Sequence, residues 1–90
     1  MRTTTYLVGG LRGDDDATRL WERIADIAVD QGIGAVNVER YGVVGGDGTA
    51  KRRDVLNIKH ADDAVPDLHA LRRAAAKAGR FTLERLHEER

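Results

Sequence analysis

The apolar residues of this 90-residue chain change their period at glycine breaks, and that alternation constrains the fold more than any other feature. Residues 4–8 set Thr, Tyr, Leu and Val, which suit a pleated and half-buried surface, ahead of Gly9 and Gly10. Ala17, Leu20, Trp21, Ile24, Ile27 and Ala28 then follow the spacing of one helical face as far as Gly32. Asp14, Asp15 and Asp16 stand before them, where carboxylates cap orphan amides and complement the helix dipole. Residues 35–44 read as a second strand with Val36 and Val38 on one face. Gly45, Gly46, Asp47 and Gly48 carry hairpin chemistry before a third strand at residues 53–59. A second helix is expected after Asp62 or Asp63, with one of them as N-cap and Pro66 in its first turn. Its apolar side takes Val65, Leu68, Leu71, Ala75 and Ala78, and Gly79 ends it. Residues 81–86 form a last strand.

Strand, helix, strand, strand, helix, strand in so short a chain predicts an α+β fold. It is a ferredoxin-like βαββαβ sandwich with two helices on one face of a four-stranded antiparallel sheet. A chain of this size buries about 60 to 65% of the surface its unfolded form exposes, enough for one core, so residues 1–90 read as a single domain. The topology sorts the loops onto two ends. Residues 9–16, the hairpin at 45–49 and residues 79–81 share one end, and residues 32–34 and 60–63 share the other. Asp14, Asp15 and Asp16 are thereby separated from His60, Asp62 and Asp63, and no metal site is expected to use both groups. Lys51, Arg52 and Arg53 instead come near the three aspartates, where charge compensation is the plain expectation.

Composition removes several functions. Fifteen Lys and Arg against fifteen Asp and Glu leave no excess of cations for general nucleic-acid binding. Without cysteine there are no disulfides, thiolate nucleophiles or soft-metal sites, and the chain has no serine for His60 to activate. No apolar run is long enough for a signal peptide or a membrane span, so the expected address is the cytosol. The GGLRG stretch at residues 9–13 has Val8 where a dinucleotide fingerprint needs its first glycine, and three aspartates follow that would repel a phosphate. Asp14, Asp15 and Asp16 lack the alternating pattern and distal Glu of a calcium loop. His60, His69 and His87 form no ligand pair. No catalytic residue, cofactor or metal ligand is therefore assigned.

What remains is surface. Asn37, Glu39, Tyr41, Val55, Asn57, Lys59, Thr82 and Glu84 are expected on the sheet face that the helices leave open. Four aromatic residues in all, without the closely spaced Phe and Tyr of base-stacking sheets, favour a solvated or self-associating face over an RNA platform.

The segment V-G-G-L-R-G-D-D-D-A-T-R-L at residues 8–20 resembles the opening motif of heavy-metal-associated domains, the small copper-chaperone modules. Gly32-Ile33 followed by Val36 and Val38, and L-R-R-A-A-A-K-A-G at residues 71–79, are similar to their second strand and second helix. The family's two cysteines would fall at Gly13 and Asp16, so the resemblance implies the fold and a habit of docking partners through the loop end, without the metal activity. G-I-G-A-V-N-V-E-R-Y-G with the late G-R-F-T-L-E-R-L is also similar to PII-like regulators, usually trimers that bind nucleotides or small anions.

Three readings follow. The first is a non-catalytic binding or adaptor module that docks a protein partner or a second copy, with Asp14, Asp15, Asp16, Arg52, Arg53 and Tyr41 as candidate contact residues. The second is a PII-like oligomeric sensor in which Arg52 and Arg53 meet an anion. The third is a cofactor-free dimeric barrel enzyme using His60 or Tyr41, a reading without a convergent acid, base and nucleophile.

Overall fold

The computed structural model describes residues 1–44 and 51–86. Its elements are β1 (Arg2–Gly9), α1 (Asp14–Asp26), β2 (Ile33–Val44), β3 (Lys51–His60), α2 (Leu68–Gly79) and β4 (Thr82–Arg85). All strand pairs are antiparallel and the order is β2-β3-β1-β4, the ferredoxin-like arrangement expected from the element order. The expected turn at Gly45, Gly46, Asp47 and Gly48 lies outside the described residues.

The two-residue period of each strand decides which side chains meet the helices. Tyr6 of β1, Leu56 and Ile58 of β3 and Leu83 of β4 pack against Leu20 and Ile24 of α1 and Leu71 and Ala75 of α2, all of them buried. Each large aliphatic side chain withdrawn from water in this way contributes about 1.5–3 kcal/mol. Burial also pushes the Tyr6 phenol above its ordinary pKa, against a smaller opposite pull from Arg85. Two polar side chains share the core: Thr4 Oγ1 and His60 Nε2 lie 2.7 Å apart, fully enclosed.

The helix boundaries differ from the sequence expectation for identifiable reasons. Helix α1 begins at Asp14 rather than Ala17, so the three aspartates form its first turn. Its N-cap is Gly13, which has no side chain to offer. It ends at Asp26, and hydrogen-bonded turns carry the chain to Gly32, whose φ of 67° suits glycine. Trp21, expected in the core, is 45% exposed. It lies against the sheet edge and donates its indole N–H to the Val36 carbonyl at 3.0 Å.

Helix α2 begins at Leu68, because proline keeps the residue before it out of the helical region and Asp67 then captures the His69 amide at 3.0 Å. Neither Asp62 nor Asp63 is the N-cap, Pro66 precedes the helix, and Val65 is off it and 47% exposed. At the other end the left-handed residue is Arg80 (φ 61°), not Gly79. The Arg80 and Phe81 amides donate back to the Ala76 and Ala75 carbonyls. Gly79 is required by packing instead, since a Cβ there would lie 2.6 Å from Cζ of the buried Phe81 ring.

The sheet face away from the helices is polar. Asn37, Glu39, Lys59, Thr82 and Glu84 are exposed there, and Thr5 donates its hydroxyl to Asn57 Oδ1 at 2.7 Å. Val55 is the exception at 3% exposure, screened by its register neighbours Leu7 and Glu39 and by Gly42. Among the described residues no helix is long and apolar enough to cross a membrane.

Candidate functional site

The register between β2 and β3 slips by one residue at two places, between Ile33 and Ala35 and again between Glu39 and Gly42. Glu39 faces Val55 and Gly42 faces Arg53, so Arg40 and Tyr41 together oppose Asp54 in a β-bulge. The extra residue forces Tyr41 to a φ of 61°, a left-handed conformation that bulky side chains rarely adopt, and leaves it 60% exposed.

Four contacts hold it there. The Tyr41 N–H donates to Asp54 Oδ1 at 3.2 Å, and Arg52 Nη1 donates to the Tyr41 carbonyl at 3.3 Å. The Arg40 guanidinium carbon lies 4.9 Å from the centre of the Tyr41 ring, and Arg40 Nη2 donates to its hydroxyl at 3.3 Å. Arg40 also reaches across to α1, where Nη1 donates to Asp14 Oδ1 at 3.4 Å. Its Nε is 3.5 Å from Asp54 Oδ1, near enough for attraction between the charges but out of line for a hydrogen bond, and it is buried without a hydrogen-bond partner. Burial works against the charge on Arg40, yet Tyr41, Asp14 and Asp54 outweigh it and raise its pKa above the ordinary value.

Of the residues singled out in the sequence, Asp14, Tyr41 and Arg52 meet in this network. Arg53 does not: it is exposed and donates to the Arg52 carbonyl at 3.1 Å. Asp15 is exposed on the first turn of α1. Asp16 serves its own helix, accepting the Arg12 N–H at 2.8 Å and pairing with Arg19. Asp14 is compensated by Arg40 and Asp16 by Arg19 rather than by Arg52 or Arg53, and the expectation for the Lys51 side chain lies outside the described residues. Arg40 and Asp54 were missed, although a signal existed. Each continues the core-facing period of its strand, after Val36 and Val38 in one case and before Leu56 and Ile58 in the other, and a charged residue there calls for a partner.

The Arg12 amide and the Arg19 side chain hold the Asp16 carboxyl below the usual carboxylate range. A carboxylate with a depressed folded-state pKa stabilises the fold fully above its unfolded value of about 3.9, and that contribution disappears as pH falls through the folded value. Acid titration followed by the Arg12 and Asp16 amide shifts should therefore show the start of α1 loosening below about pH 4. Asp16→Asn should remove that step.

His60 forms no acid–base cluster. Its ring is engaged by Thr4 and by the Ala61 carbonyl, 2.8 Å from Nδ1, while Asp62 pairs with the N-terminal ammonium at 3.1 Å. Among the described residues no three His, Asp or Glu side chains are grouped to hold a metal ion. No family model, curated protein or solved structure matches the chain.

Proposed function

We propose that the chain is a non-catalytic binding module that docks a protein partner through the rim around Tyr41. The observation that carries this is an exposed aromatic residue kept in a strained conformation by Arg40, Asp54 and Arg52. Strain of that kind persists where the surroundings over-determine it, and tyrosine and arginine are the residue types that most often anchor interfaces. The likeness of residues 8–20 and 71–79 to heavy-metal-associated domains supports the same reading. That family's loop end would coincide with this rim, and here the cysteines are replaced by Gly13 and Asp16.

The test places a photo-crosslinking phenylalanine analogue at position 41, or at the exposed Lys59 of the open sheet face, in otherwise intact protein in its own cells. The expected result is one crosslinked polypeptide from position 41 and none from position 59. Equal labelling from both positions, or none from either, would overturn the proposal. Products at multiples of 9.9 kDa would replace the partner by a second copy.

A further inference from the structure

Strand β2 is one edge of the sheet, and its outer side carries backbone groups that β3 does not use. The Trp21 indole marks which ones. Because it donates to the Val36 carbonyl, the amide and carbonyl of Val36 face outward, and by the two-residue period so do those of Val38 and the amide of Arg40. Trp21 satisfies the Val36 carbonyl alone. Beside it Ala17, Thr18, Trp21, Asn37 and Val38 line an open cleft of about 230 Å³, and Tyr41 stands exposed at the upper end of the same edge. From Val36 to Tyr41 the strand advances about 17 Å, the length of four or five residues of a paired strand.

We infer that this edge, between Trp21 and Tyr41, receives an extended basic segment of a partner protein as a fifth strand. The inference rests on the docking role proposed for Tyr41 and adds what is docked. Charge selects the occupant. Glu39 is exposed on this edge and Asp15 on the first turn of α1, while the single charge of Arg40 is met by both Asp14 and Asp54, and Arg52 is turned toward the Tyr41 carbonyl. A second copy paired edge to edge would bring the same carboxylates against one another, whereas lysines on the incoming strand would meet them. Alternation sets the pattern: one side chain enters the cleft beside Trp21, and the next lies over the open face near Asn37 and Glu39.

The probe is the capped peptide acetyl-Lys-Val-Lys-Val-Lys-Val-amide, titrated into the full chain. Binding is read by the fluorescence of the single tryptophan and by the amide shifts of Val38 and Arg40. Saturable binding below about 1 mM is expected, weakened about tenfold when Glu replaces Lys, when alternate peptide nitrogens are methylated, or in Glu39→Lys protein. No binding at about 1 mM, equal binding of the Glu peptide, or indifference to methylation overturns the inference. Crosslinking at position 41 separates the two levels: a partner captured there without peptide binding refutes strand addition and leaves docking intact, and failure of both refutes both.

Discussion

Thr4→Val should lower the free energy of unfolding by about 2 kcal/mol, although it replaces a hydroxyl by a methyl of nearly the same size. The Ala61 carbonyl can only accept, so in the neutral ring His60 Nδ1 carries the proton and Nε2 accepts from the Thr4 hydroxyl at 2.7 Å. Thr4 is 2% and His60 1% exposed, so water cannot replace a lost partner. His60→Leu should cost a similar amount by stranding the hydroxyl. Changing both residues removes donor and acceptor together, and the double variant should return to within about 1 kcal/mol of the parent, a coupling of about 3 kcal/mol in a denaturant double-mutant cycle. Single costs that simply add would show that the two side chains do not form the pair.

Tyr41→Gly should separate stability from docking. Relief of the left-handed conformation contributes about 1 kcal/mol, and the greater freedom of unfolded glycine and the loss of the Arg40 contact offset it by about as much. Unfolding should therefore shift by less than about 0.5 kcal/mol, while partner affinity falls about thirtyfold or more, the loss expected for an interface anchor. Tyr41→Val places a β-branched residue at the same φ and should be less stable than the glycine variant by about 2 kcal/mol. If glycine leaves affinity intact, the ring is not the anchor. If valine is as stable as glycine, the bulge does not hold this residue to its left-handed conformation.

The element order was legible because period and glycine breaks are local signals, and the buried Leu20, Ile24, Leu71 and Ala75 could be read from helical spacing. The α2 cap was not. Asp62, Asp63 and Asp67 are chemically equivalent caps, and Asp67 is selected by the restriction Pro66 places on its neighbour. Arg52 could be placed near Asp14 from topology alone, and Tyr41 only on the open sheet face. The bulge that positions them could not, since a one-residue slip between β2 and β3 leaves no mark on either strand's composition. Trp21 fits the apolar stripe of α1 as well as Leu20 does. That it covers a strand edge rather than the core depends on the packing of α1 against β2, which helical spacing does not encode. The Thr4–His60 pair joins residues 56 apart and was invisible for the same reason.

The strand order has a kinetic consequence. Strand β1, made before the other strands of this sheet, lies in its middle between β3 and β4, with Thr5 waiting for a neighbour 52 residues away and Val8 for Leu83 of the last strand. A nascent chain can close the β2–β3 hairpin early, yet Tyr6 stays in water until β3 arrives, and its second neighbour comes with β4. On the ribosome the core is thus completed only once β4 has emerged, and a chain truncated before β4 would display both β1 and its unfilled edge to any other strand in reach.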